Sequence, residues 1–375
     1  MNDFLKAILL LNACRAPVSA WTVLKRREDP AALWRGGEEF LKTLELRESS
    51  CKQLTELLSE RDWADREMER TDRFGARFLP IDDVEYPPRL KDLPAPPLGL
   101  YVKGDLNLSK SMIAIVGTRR CSSYGRLTAE AIGRGVAQAG YQVLSGGAKG
   151  IDGAGHRGCL GAGGTTIAVL GTALDRVYPA EHRPLFHRIA EQGALVSEYP
   201  MGTGGNAWRF PERNRIIAGL CRVLVAVESP VDGGAMITAR QGLDIGREIW
   251  CVPGRITEES AKGTNTLIRD GANPLIDIDE FIGKISGQYG QLLISFPSPP
   301  PDNLSPDEKN VLELLRREGK LTHDDIILKS GLGFSEVQMS LATLCAFHLA
   351  VESGAGRYEA ITPPEQPREF SPRII

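Results

Sequence analysis

The sequence predicts an α/β fold, with a parallel sheet wrapped by helices on both faces, a small helical domain before it and a winged-helix domain after it. Three observations carry this prediction. From Met112 onward, short β-branched runs alternate with stretches able to form helices, as in βαβ units. A stretch with five prolines between Tyr86 and Pro97, and a proline- and glycine-bearing one between Gly287 and Asn303, break the chain on either side. The last stretch carries three helix-capping pairs followed by a glycine-tipped hairpin.

These breaks predict a helical domain over residues 1–80, of SAM or helix-hairpin-helix type, and a sheet domain over 81–286. A linker over 287–303, a winged helix over 304–362 and a tail over 363–375 would follow. With 375 residues, 42% of them hydrophobic, the chain can bury one substantial core with satellites. No apolar run approaches the roughly 20 residues needed to cross a bilayer. The opening MNDFLKAILLLNACRAPVSAW is interrupted by Asp3 and Lys6 and leads to no clean cleavage site, so a cytoplasmic protein is expected.

Seven scattered cysteines and five histidines form no ligand spacing, which predicts reduced thiols, no metal and no other cofactor. The net charge of -3 excludes a global polyanion-binding field, so any nucleic-acid site must be a local patch. Residues 111–286 hold 19 Lys plus Arg against 17 Asp plus Glu, and 16 of the 19 are arginine. Affinity for phosphate would therefore come from a few forked donors.

Taken in chain order, residues 1–80 read as short helices, with Leu54, Leu57 and Leu58 as an apolar stripe before the mixed charges of Arg61 to Arg73. The runs MIAIV, YQVLS, TTIAVL, ALVSE, RVLVAV and EIWCV read as six strands. Right-handed crossovers gather the loops that follow them at one edge, where ligands bind. After the first run come Gly117, Thr118, Arg119 and Arg120, with a helix starting near Ser122 or Ser123. Two guanidinium groups beside helix N–H donors suit phosphate. After the second comes Ser145-Gly146-Gly147-Ala148-Lys149-Gly150, a turn whose amides can approach a ligand closely.

The spacing Gly153, Gly155, Gly158 matches a dinucleotide fingerprint in form, but it starts eight residues past the strand end, so helix packing is expected of it. His156, on the same helix, is expected to make an interior hydrogen bond. Between Asn206 and Leu220, Trp208 and Phe210 interleave with Arg209, Arg213 and Arg215, which suits stacked bases and a held backbone. For Trp208 or Phe210 taken singly, an aromatic anchor on the core weighs about equally. No phosphate-binding P-loop and no nucleophile elbow occurs, and no catalytic residue is assigned.

In the last stretch, Ser305 with Glu308, Thr322 with Asp325 and Ser335 with Gln338 each place an N-cap residue three positions before its answering side chain. Gly319 and Gly331 end the first two helices. The third, Glu336 to Phe347, has no Lys or Arg, which argues against base reading by it.

The stretches AIVGTRR, SGGAKGIDGAGH, TIAVLGTALDRVYP, LVSEYP, FPERNRIIAGL, ITARQGLDIGRE and GTNTLIRDGA make residues 80–277 resemble the bacterial DNA-processing protein A family, also called DprA or Smf. The resemblance implies an extended Rossmann-like core and single-stranded DNA binding. It also implies a homodimer, delivery of DNA to the RecA recombinase in natural transformation and recombination, and no enzymatic step. DNA contacts are carried onto Arg119, Ser145, Gly146, Gly147, Lys149, Gly150, Phe210, Arg213, Asn214 and Arg215, with Arg120, Trp208 and Lys262 beside them. The chain departs from the family pattern at Asn12–Pro17, at Asp232-Gly233-Gly234-Ala235, and at Glu212 within Phe-Pro-x-Arg-Asn-Arg.

A rival reading is a nucleotide-binding enzyme resembling the phosphoribohydrolases, whose motif is Pro-Gly-Gly-x-Gly-Thr-x-x-Glu. Aligned on Gly233 and Gly234, this chain has Arg240 at the position of the catalytic glutamate. A third reading makes the capped carboxyl-terminal helices a protein-interaction adaptor.

Overall fold

The computed structural model describes residues 2–287, 304–346, 349–352 and 356–360. It divides into two compact units, Met1–Ser286 and Gly287–Ile375. The first holds a nine-stranded sheet built from β1 (Arg77–Pro80), β2 (Gly99–Gly104), β3 (Met112–Val116), β4 (Gln142–Ser145), β5 (Thr166–Leu170), β6 (Ala194–Ser197), β7 (Val223–Ala226), β8 (Glu248–Cys251) and β9 (Asn273–Pro274). The spatial order is β1-β2-β6-β5-β4-β3-β7-β8-β9. All pairs from β6 through β9 are parallel, as expected, and β3 to β8 fall on the six predicted runs.

The antiparallel edge was not foreseen: β2 pairs with β6 and β1 with β2, both antiparallel. The sheet is therefore mixed. Its central strands are covered on both faces, and alternation sorts their side chains. Ala114, Val116 and Leu224 join the core cluster on one side, while Ile113, Ile115 and Val225 join the cluster on the other. The valine, isoleucine and leucine side chains among them each stabilise the fold by about 1.5–3 kcal/mol when fully buried.

Because β4 and β7 lie on opposite sides of β3, the chain reverses its winding direction there. The loops after β3 and β7 diverge and leave a crevice at the carboxyl ends of the strands. The glycines after β4 do the packing expected of them. A Cβ on Gly155 would lie 3.2 Å from Ile115, and one on Gly158 would strike the backbone of Glu130, so the helices Ser123–Gln138 and Ile151–Gly161 touch backbone to backbone. His156, fully buried between them and β5, bonds Thr166 Oγ1 through Nδ1 at 2.7 Å. Burial pushes its pKa down to about 3, so the ring is neutral.

The amino-terminal helices, including Asp3–Ala13, Val18–Arg27, Glu48–Ser59 and Trp63–Arg73, share the core that covers β1 and β2. Leu54 is fully buried, with Leu57 and Leu58 partly so. Asn12 joins this layer to the sheet: its Nδ2 donates to Glu198 O at 2.9 Å and its Oδ1 accepts from Gly99 N at 3.0 Å.

The second unit has helices Pro306–Glu318, His323–Ser330 and Phe334–Ala346, and a three-stranded sheet of β10 (Leu321–Thr322), β11 (Ala350–Glu352) and β12 (Arg357–Ala360) in the order β10-β12-β11. Both strand pairs are antiparallel. Full capping boxes open the first two helices at Ser305 and Thr322. The third starts earlier than its predicted cap at Ser335, with Gly333 N donating to Glu336 at 2.5 Å. Phe347, residues 288–303 of the expected linker and the expected tail lie outside the described residues.

Candidate nucleic-acid interface

At the crevice between the loops after β3 and β7 lies a cleft of about 570 Å³. One wall is the segment after β3. Gly117 is needed because a Cβ there would strike the Ile151 side chain and sit 2.9 Å from Glu228 O, and Thr118 N is tied to Glu228 O at 2.7 Å. Arg119 and Arg120 then emerge into solvent, and Ser122 caps the following helix by accepting from Gly125 N at 3.0 Å.

The floor is the loop after β4. Asp152 accepts from Gly146 N at 3.1 Å and Ala148 N at 3.4 Å, while His182 Nδ1 meets Gly147 O at 3.0 Å. Arg213 donates to Gly146 O at 2.7 Å and also to Val169 O. Gly150 takes a left-handed φ of 76°, and Ile151 N donates to Thr118 O at 3.3 Å, so the two loops are stitched together. The amides of Lys149 and Gly150 donate to no protein backbone acceptor among the described residues.

The helix Arg209–Leu220 supplies the opposite wall. Phe210, Arg213, Asn214 and Ile217 recur at the three- and four-residue spacing of one helix face, and all four line the cleft. The Arg119 guanidinium lies over the Phe210 ring at 4.8 Å, and Tyr178 packs on the same ring with centroids 5.4 Å apart. Lys149 stands at the same mouth, ion-paired with Glu181. That pair is about half exposed on both sides and contributes little to stability, so it can yield to a phosphate.

The structure thus brings Arg119, Arg120, Gly146, Lys149, Phe210, Arg213 and Asn214 to one rim, but it changes what several of them do. Arg213 is only 4% exposed and serves the loop carbonyls, so it is not a surface fork. Burial pulls its pKa down to about 10, against the nearby Asp152 charge, and burial likewise raises Asp152. Ser145 and Gly147 are buried, with Ser145 Oγ donating to Ile115 O at 2.6 Å. Asn214 Nδ2 reaches Gly234 O at 3.4 Å and links the wall to the loop after β7.

Arg215 points to the other side of its helix and bonds Glu198 at 2.6 Å. Trp208 is exposed, yet its ring is flanked by Arg15 at 4.5 Å and Arg209 at 4.9 Å, which makes it an anchor for the amino-terminal helices. Glu212 has its partners there too, in Arg15 and in the Tyr199 hydroxyl at 3.0 Å. Lys262 heads the helix Lys262–Arg269, does not line this cleft, and pairs with Glu259 at 2.5 Å. Sequence reasoning overlooked Tyr178, whose one signal was an aromatic beside Pro179 in the long loop after β5. Asp152 was likewise overlooked, and its one signal is a carboxylate two residues past Gly150. Among the described residues no cluster of three His, Cys, Asp or Glu could hold a metal, and no helix is long and apolar enough to cross a membrane.

The family described as DNA recombination-mediator protein A matches residues 77–286. Among curated relatives, Protein Smf of Synechocystis is 31% identical over 78% of this chain and 82% of its own length. The putative DNA processing protein DprA of Mycobacterium tuberculosis is 37% identical over 80% and 81%. Among solved structures, DNA processing protein A from Streptococcus pneumoniae superposes with a TM-score of 0.65 at 28% identity, covering 76% of this chain and 98% of that one. A Helicobacter pylori structure, whose subject is a single-stranded DNA binding mode, gives 0.52 at 28% identity over 56% and 97%. A match that spans the whole nine-stranded sheet, the cleft and its walls establishes that this chain belongs to the DprA/Smf family of DNA-processing proteins.

Proposed function

We propose that the chain binds single-stranded DNA across the carboxyl rim of its sheet and delivers it to the RecA recombinase, acting in the cytoplasm as a homodimer. The observation that carries the reading is the stack of Arg119, Phe210 and Tyr178 at the mouth of a cleft whose floor is a clamped glycine loop. An exposed guanidinium and Lys149 would neutralise phosphates, while Phe210 and Tyr178 present ring edges and faces to unpaired bases, at about 1–3 kcal/mol per stacked base. The H. pylori relative's single-stranded DNA binding supports the same choice of ligand.

The test is filter binding of Arg119→Ala and Lys149→Ala across a salt series. Each should weaken binding and flatten the salt slope by about 0.7, the share of one phosphate on a single strand. Unchanged affinity and slope in both would overturn the reading.

In this reading the chain carries out no chemistry on DNA, since the exposed Arg240 takes the place of the phosphoribohydrolase glutamate. Incubation with nucleoside monophosphates should release no free base, and steady turnover would replace this proposal with the enzyme. The second unit, read as a winged helix, would serve partner contact, and removing residues 287–375 should then lower RecA stimulation while sparing DNA affinity.

A further inference from the structure

The same rim carries another cleft, of about 740 Å³, lined by Ser122, Tyr124, Glu228, Pro253, Arg255 and Glu258 among others. The segment Gly117–Tyr124 and the loop Val227–Gly234 separate the two. Each cleft opens over its own face of the sheet: Val116 and Ile217 back the first, Val227 backs the second, and they belong to opposite core clusters. Arg120 stands exposed on the dividing wall.

Resting on the single-stranded DNA reading, we propose that this second cleft seats a base of the same strand after the strand crosses the wall at Arg120. Tyr124 is 59% exposed and offers a ring for stacking, and the exposed Arg255 can meet a phosphate at the outer lip. Behind them Glu228 is buried and held in place. Its Oε2 accepts from Ser122 N at 3.0 Å and Ser122 Oγ at 3.1 Å, and its Oε1 accepts from Ser260 Oγ at 2.5 Å. A carboxylate has about four acceptor positions, so Oε1 keeps one, and Glu258 adds a second carboxylate at the lining.

Two carboxylates repel phosphate and accept N–H groups, so a base edge enters this cleft while the backbone stays at the arginines. Bases with an exocyclic amine, such as cytosine, suit it better than thymine.

The test uses the full chain and an oligocytidine of about 15 nucleotides carrying photoreactive 5-iodocytosine, a length within the range of single-strand sites. Trypsin then separates peptide Cys121–Arg126, which contains Tyr124, from Phe210–Arg213. Crosslinks on both are expected. Crosslinks on the Phe210 peptide alone overturn the second seat and leave the DNA reading standing, and crosslinks on neither overturn both. In parallel, Tyr124→Ala should weaken binding of the long oligomer about tenfold and leave one of about 5 nucleotides unchanged. Glu258→Ala, exposed and safe for folding, removes one of the two carboxylate acceptors and should lower the preference for oligo-dC over oligo-dT. A preference left unchanged would sink the proposal.

Discussion

Arg213 donates to the carbonyl of Gly146 at 2.7 Å, which makes this arginine a fastener for the loop after β4. Its removal would strip two carbonyls of their donor and leave Asp152 buried with no cation beside it. Arg213→Ala should therefore cost about 3 kcal/mol, read as a lowered melting temperature. Arg119→Ala, at an exposed site, should stay within about 0.5 kcal/mol while losing DNA affinity. Equal stability of the two variants would contradict the division of roles.

Glu67, buried on the helix Trp63–Arg73, accepts from Met201 N at 2.7 Å. Burial holds its carboxyl above the ordinary value of 4.5, with the Met201 amide opposing. The folded state thus binds this proton more tightly than the unfolded chain, and stability falls as pH rises from the unfolded value through the folded one. Glu67→Gln keeps an acceptor for Met201. Thermal melts should find it more stable than the parent at about pH 7 and no more stable below about pH 4.

Arg15 pairs with Glu212 and covers Trp208, so three residues join the amino-terminal helices to the wall of the cleft. Both charged side chains are partly exposed, at 35% and 21%, so solvent screening limits the pair. A double-mutant cycle on Arg15→Ala and Glu212→Ala should return a coupling of about 0.5–1 kcal/mol. A value near zero would make the pair a surface coincidence.

Gly150 combines a φ of 76° with an approach to Arg119, where a Cβ would sit 2.9 Å from the backbone. Gly150→Ala should destabilise by more than about 1 kcal/mol, whereas Gly161→Ala, with open space around it, should be neutral or mildly stabilising as a helix change. Denaturant midpoints of the two would separate them.

The parallel core was legible because MIAIV and its five companions are short runs dominated by β-branched and other apolar residues, as strands covered on both faces are. The antiparallel edge was not. Gly99–Gly104 follows directly on a proline-rich stretch, which masks it, and only a tertiary partner, β6, makes it a strand. The arginines show the same limit within the site. Arg119, Arg213 and Arg215 look alike in sequence, since residue type reports charge and reach but not which helix face a side chain occupies. The face is set by the three- and four-residue spacing from Phe210, which would have paired Arg213 with the cleft and sent Arg215 behind it. Trp208 belongs with Arg15 through a contact nearly two hundred positions apart in the chain, which no local pattern encodes.

The side-chain amide of Asn12 works as an extra rung between β2 and the end of β6, supplying a donor and an acceptor where the two strands no longer meet. Loosening the first helix therefore unzips the antiparallel margin and, through Glu198 and Arg215, reaches the back of the cleft wall. The amino-terminal layer and the sheet should accordingly melt as one cooperative body, with no separate early transition for the first eighty residues.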